Sequence, residues 1–286
     1  MANSTLDENS SSLDESRQAY MLPHSQREIE RMKNQHEWVK AAFGGLIKAP
    51  VDYEQKNQSI LDSATADGTW LCDTGTMFPP ETELVGFDIA PELYPPADLL
   101  PPNVELVVGD LLQSLPEKWA KHFDLVHQRF VFPGFPAEAI DEFVDKLMEC
   151  VKPGGWIQFV EPVANENVSG PGPSAFAILH QLANTFMKSP NPKNVILEKL
   201  ESAGFINVNM ETLDIVVGKY QSNKELDARG RKNMRATINN MLAFTNANDL
   251  GLSDTDWETL RDRFDEDMST YRTAVRHVII WAQRPL

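Results

Sequence analysis

The feature that most constrains this chain is a series of short apolar runs, most of them closed by a polar residue and separated by loops or amphipathic stretches. The runs are Ser59–Ser63, Glu83–Asp88, 104–109, 123–127 and 156–161. Short, fully apolar strands joined by crossovers mark a parallel sheet buried on both faces. A helical pattern over 136–151 falls between the fourth and fifth runs. This alternation predicts an α/β fold with a Rossmann-like, doubly wound, mostly parallel sheet. Two later strand-like stretches, Ile206–Val217 and 274–283, bring the expected strands to seven. Between them lie helical patterns over 224–246 and after Ser253, so the pair reads as a hairpin holding a helical insertion over 221–270.

The flanking segments follow from local signals. Residues 1–18 are rich in Ser, Asn, Asp and Glu without periodicity, which predicts a disordered tail. Ser25 and Glu28 fit a capping box, and Ile29, Met32, His36, Val39 and Phe43 follow at helical spacing until Gly44-Gly45. Residues 19–50 thus form an N-terminal helical unit, and 51–286 the main domain. After the fifth strand come a loop with Pro171, Gly172 and Pro173 and helices over 176–188 and 195–203.

Charge excludes whole classes of function. The chain has 286 residues, and 26 Lys+Arg against 42 Asp+Glu give a net charge of −16. Nucleic-acid affinity rests on clustered Lys and Arg, so no nucleic-acid partner is expected, and none of anionic lipid. No apolar run reaches the ~18 residues of a membrane helix, and the N-terminus does not read as a signal peptide. Cys72 and Cys150 cannot build a disulfide framework, which points to a reducing, cytoplasmic setting. The cysteines and six histidines show no metal-ligand spacing, so no metal is expected.

Open α/β sheets bind ligands beyond the carboxyl ends of their strands. The first run leads into Asp62-Ser63-Ala64-Thr65-Ala66-Asp67-Gly68-Thr69-Trp70. These small residues let a ligand approach the backbone ahead of a helix N-terminus, although alanines 64 and 66 stand where glycines are expected. An ordinary strand–helix turn would read the same way. Asp88 ends the second run 20 residues past Gly68, the spacing of a carboxylate that accepts from ribose hydroxyls. Asp110, after the third run, can accept from an exocyclic amine, with Leu111 against the base. The fourth run continues as His127-Gln128-Arg129, and Lys152-Pro153-Gly154-Gly155-Trp156 turns into a fifth strand ending at Glu161.

Together these residues resemble the class I S-adenosylmethionine-dependent methyltransferases. The segments 123–129 and 152–156 are similar to the fungal branch that contains velvet-regulator-type and secondary-metabolite methyltransferases. Tyr20-Met21-Leu22-Pro23, Leu46-Ile47-Lys48-Ala49-Pro50 and 62–70 most resemble N-methyltransferases of gliotoxin-type clusters. The resemblance spans about 20–161. It implies S-adenosyl-L-methionine as cofactor and a small-molecule acceptor, with an amide nitrogen favoured. Asp62, Ala64, Asp67, Gly68 and Trp70 would hold the methionine end. Asp88 would bind ribose, Ile89 would pack on adenine, and Asp110 with Leu111 would read its edge. His127 and Gln128 would lie beside the sulfonium, with Tyr20 and the first helices as a lid.

An acceptor nitrogen or oxygen must lose a proton, and a base within reach contributes ~10²–10⁴-fold. The candidates for that base are His127, pointing into the expected crevice, Glu161, His24 and His36. A structural hydrogen-bonding role competes for His127, and a polar wall role for Glu161. His24, Phe132 and Phe176 are candidates for the acceptor site. His36 reads as a core histidine, and Arg129 as the partner of an acid. Two alternatives remain: a non-catalytic, regulatory methyltransferase-like protein, and an NAD-dependent oxidoreductase on the same sheet. The sequence leaves the oligomeric state open.

Overall fold

The computed structural model describes residues 26–163, 166, 174–178, 188, 191–243 and 245–286. Tyr20, His24 and Ser25 lie outside the described residues, as do the expected tail and most of the helix expected over 176–188.

One sheet organises the chain. Its strands are β1 (Ser59–Ser63), β2 (Glu83–Asp88), β3 (Val104–Val108), β4 (Phe123–Arg129), β5 (Val151–Pro162), β6 (Ile206–Val217) and β7 (Thr273–Gln283). Their spatial order is β3-β2-β1-β4-β5-β7-β6. The first five are parallel, and β7 runs antiparallel to both β5 and β6. The helices are α1 (Gln26–Phe43), α2 (Thr69–Gly75), α3 (Ala137–Cys150), α4 (Lys193–Ser202), α5 (Lys224–Leu242) and α6 (Asp254–Thr270). Helices α5 and α6 interrupt the β6–β7 hairpin, as the late apolar runs predict. The chain winds outward from β1 to β3 and returns on the other side at β4. The switch point therefore lies between β1 and β4, where open sheets place their ligands.

Alternation along each strand supplies two apolar faces, and helices cover both. On one face Val126, Ile157, Phe159 and Ile280 pack with Ile140, Phe143 and Leu147 of α3 and Ile196 and Leu200 of α4. On the other, Val160, Ile215 and Ile279 meet Trp38, Val39 and Phe43 of α1, Met234 and Ile238 of α5, and Leu260 and Phe264 of α6. A third cluster seats Trp70 and Leu71 of α2 on Ile60, Leu84 and Leu125. Local signals set the helix starts. Asn223 Oδ1 accepts from the backbone N–H of Glu225 and Leu226 at 3.0 and 3.1 Å, and Ser253 Oγ accepts from Asp256 N–H at 3.1 Å.

Strand β5 begins at Val151, earlier than the apolar pattern predicts. The Lys-Pro-Gly-Gly turn is absorbed into its irregular first part, with Gly154 at φ 80°. A side chain at Gly155 would press on the backbone oxygens of Phe123, Asp124 and Lys152 at 3.0 Å, so this crossing needs glycine. Helix α1 crosses α5, with Asn34 Nδ2 donating to the Arg229 carbonyl at 3.0 Å. Gln158 pins the segment after α1 to the sheet. Its Oε1 accepts from Lys48 and Ala49 N–H at 2.6 and 3.2 Å, and its Nε2 donates to the Leu46 carbonyl at 2.9 Å.

Candidate active site

The loop after β1 is built on left-handed backbone. Ala64, Ala66 and Gly68 take φ of 51°, 53° and 75°. Alanine adopts this region at a cost, so both alanines keep a glycine-type loop conformation under strain. Asp88 at the end of β2 holds the loop in place. Its Oδ2 accepts from Ala66 N–H at 2.8 Å and its Oδ1 from Ala90 N–H at 3.0 Å. Burial raises the Asp88 carboxyl above its ordinary range, and these backbone donors oppose the shift. Asp67 secures the start of α2, accepting from Thr69 Oγ1 at 2.7 Å and Thr69 N–H at 3.1 Å.

Strands β1 and β4 are adjacent, with Asp62 and His127 in register. His127 Nδ1 lies 2.7 Å from Asp62 Oδ1, and Asp62 Oδ2 accepts from Thr65 Oγ1 at 2.6 Å. The imidazole stacks on the Trp70 ring, with centroids 3.6 Å apart and planes 1° apart. Burial lowers the His127 pKa despite the neighbouring carboxylate. A neutral ring that donates from Nδ1 to Asp62 leaves Nε2 as an acceptor, and Nε2 is buried without a partner.

Asp110 follows β3. Its Oδ1 accepts from Leu112 N–H at 2.8 Å, while its Oδ2 is buried without a partner. Leu111 joins the core beside Phe87 and Trp119, and Ile89 is half-buried next to Asp88.

Alternation along β4 and β5 sends Gln128 and Glu161 to the face opposite His127. Glu161 Oε1 accepts from Gln128 Nε2 at 2.7 Å and from Val131 and Phe132 N–H at 3.2 and 3.4 Å. Full burial pushes its carboxyl up to about 8, so it is neutral at pH 7. Phe132 has no exposed surface and packs between Phe143 and Phe159. Phe176 is likewise fully buried, against Phe264. The structure therefore places both rings in the core and not on an open acceptor wall.

A small cleft lies under α1, walled by Lys40, Phe43, Leu46, Trp70, His127 and Arg129. The expected acid partner of Arg129 is not found among the described residues. Its NH2 donates to His36 Nδ1 at 3.2 Å, and His36 Nε2 donates to Asp73 Oδ2 at 2.9 Å. Ligand atoms of His36, Glu37 and Asp73 lie within 4.8 Å of one another. The cations of Arg129 and Lys40 already bond to His36 and Asp73. Sequence reasoning missed the Trp70–His127 stack and the Gln158 anchor, since both partners come from distant segments.

The groups at the carboxyl edge suit an adenosine sulfonium. The orphan Asp110 oxygen fits an exocyclic amine, the Asp88 carboxylate at the next strand end suits ribose hydroxyls, and the loop over 64–68 runs beside Asp88. Fold and site together define a methyltransferase of the Rossmann-like, S-adenosyl-L-methionine-dependent class, and a methyltransferase domain model matches residues 60–155. The chain is 62% identical over 277 residues to the N-methyltransferase verN of Clonostachys rogersoniana, covering 97% of this chain and 96% of that one. It is 29% identical over 282 residues to the N-methyltransferase gliN of Aspergillus fumigatus, covering 96% and 99%. With tcpN of Claviceps purpurea the identity is 31% over 252 residues, covering 85% and 89%. The chain belongs to this family of fungal N-methyltransferases. Among solved structures, a methyltransferase of Haloferax volcanii bound to its Trm112 activator shares the fold, with a TM-score of 0.52, 15% identity and coverage of 92% and 96%. The oxidoreductase alternative falls with this assignment. Among the described residues no helix is long and apolar enough to cross a membrane.

Proposed function

We propose that this methyltransferase acts on an amide nitrogen of a small secondary metabolite. The observation that carries the reading is the row Asp110, Asp88, Asp62 and His127, which follows the strand order β3-β2-β1-β4 along one edge of the sheet. The names of the relatives support nitrogen as the acceptor atom.

In this reading Asp88, which holds Ala66 and Ala90, would accept from the ribose hydroxyls, Ile89 would pack on adenine, and the unpartnered Asp110 Oδ2 would accept from its amine. When bound, the cofactor would supply a methyl carbon activated by its sulfonium, which would become a neutral thioether on transfer to nitrogen. Asp62, Ala64, Asp67, Gly68 and Trp70 shape the floor under the methionine end. The protein must place the acceptor about 3–3.5 Å from that carbon and exclude water, which supplies ~7–11 kcal/mol. His127 Nε2 takes the proton released from the nitrogen, and Asp62 steadies the resulting imidazolium through Nδ1. Glu161 and Gln128 act as positioning residues, since Glu161 is protonated at pH 7 and tied to the loop after β4. Helix α1 covers the acceptor. A cytoplasmic setting accords with Cys72 and Cys150, both free thiols.

The test is a labelled-methyl assay of the enzyme against metabolite extracts, with mass identification of the product. An N-methylated small molecule is expected. Label on oxygen or sulfur, or no transfer to any metabolite, counts against the reading.

A further inference from the structure

We propose that Arg129 is the receptor for the carboxylate at the methionyl end of the cofactor. The inference rests on the cofactor reading above and adds a recognition element to it.

Arg129 ends β4 two residues beyond His127, on the same face, and its half-buried side chain forms part of the cleft with Trp70 and His127. A guanidinium carries five N–H donors in a planar fork suited to a carboxylate. Among the described residues, one of these donors has a partner, the neutral His36 Nδ1 at 3.2 Å. The Phe130 ring lies 5.4 Å from the guanidinium carbon and backs the fork. Nearby carboxylates are engaged elsewhere: Asp62 with His127 and Thr65, Asp67 with Thr69, Asp73 with His36 and Lys40. None of them comes within ion-pair distance of Arg129. Burial accordingly pulls its pKa down to about 10, which leaves it charged at pH 7. A cation set in a cleft with one of its five donors partnered among the described residues calls for an anion. The ligand carries one such group, at the end that the loop over 64–68 is placed to hold. His36 orients the fork: its Nε2–H is committed to Asp73, so Nδ1 must accept from Arg129.

The experiment compares S-adenosylhomocysteine with decarboxylated S-adenosylhomocysteine, which lacks only the carboxylate. Binding is measured by calorimetry on wild type, Arg129→Gln and Arg129→Lys. Wild type is expected to favour the carboxylate-bearing ligand by about tenfold or more, in line with a charged hydrogen-bonded pair. Arg129→Gln should abolish that preference and leave the decarboxylated ligand within about twofold of wild type, with Arg129→Lys in between. A preference that survives in Arg129→Gln overturns the proposal, as does an equal loss for both ligands, which marks a role in the fold alone. Unchanged cofactor binding with a raised KM for the acceptor also overturns it, assigning the anion to the acceptor. If wild type binds neither ligand, the cofactor reading itself fails, an outcome distinct from these. Should Arg129→Gln not fold, Arg129→Lys decides by the ratio of the two affinities.

Discussion

His127 lies flat on Trp70, ring centroid to ring centroid 3.6 Å, while its Nδ1 holds Asp62 at 2.7 Å. The imidazole is thus fixed in plane by one neighbour and in rotation by the other. Trp70→Leu removes one face of this clamp and opens space in the core. By analogy with other buried large-to-small changes it should cost about 2–4 kcal/mol in a urea melt. It should lower kcat more than it raises KM, because the ring that takes the proton loses its alignment. Trp70→Phe keeps an aromatic face and should retain most of both. A kcat unchanged in Trp70→Leu would separate the stack from catalysis.

Asp110 offers one engaged oxygen and one buried, unpartnered oxygen. Asp110→Asn can present an amide N–H where the carboxylate accepted. S-adenosylhomocysteine affinity should drop roughly 10–100-fold, the range of hydrogen bonds to charged groups. The inosine analogue, which carries a carbonyl in place of the amine, should lose less or gain. Competition binding with the two nucleosides checks this, and parallel losses would place Asp110 outside base recognition.

The left-handed alanines make a prediction of opposite sign. Ala64→Gly or Ala66→Gly relieves a conformation that costs an alanine about 1–2 kcal/mol, while glycine adds roughly 0.5–1 kcal/mol of unfolded-state entropy. Each variant should be equal to or up to about 1.5 kcal/mol more stable than wild type by chemical denaturation. A clear loss of stability would mean that the methyl groups pack in a way that outweighs the backbone.

Glu161 sets a pH dependence. Its folded-state pKa is raised from 4.5 to about 8 by burial. The unfolded chain therefore releases this proton first as pH rises. Stability from the neutral carboxyl is complete below about pH 4.5 and is lost progressively up to about pH 8, at about 1.4 kcal/mol per unit while only the unfolded form is ionised. Glu161→Gln mimics the neutral acid and should flatten the decline. The two proteins should diverge by a few kcal/mol between pH 5 and pH 8 in denaturant melts. Parallel curves would show that Glu161 is ionised in the fold.

These sites differ in how legible they were. Strand ends are local features: a short apolar run stopped by Asp88 or His127 announces both the strand and the edge where its polar residue sits. The sheet and the row of acids could therefore be read from the chain. Side-chain partners depend on segments far apart in sequence. His36 and Arg129 meet across 93 positions, so the expected acid partner of Arg129 proved to be a neutral imidazole. Pattern also cannot separate a pocket wall from a core. Phe132 and Phe176 carry the apolar signal of either, and both are buried among other rings. Glu161 looked like one more strand-end acid, yet alternation from His127 through Gln128 turns it to the opposite face.

Asp88 stands in the middle of the strand-end acids proposed to hold the adenosine ligand. Calorimetric titration of S-adenosylhomocysteine into wild type and Asp88→Ala tests that proposal most directly, with circular dichroism to confirm the fold. Micromolar, one-to-one binding is predicted for wild type, and affinity about tenfold or more weaker for the variant. No heat from wild type, or equal affinity in a folded Asp88→Ala, would contradict it.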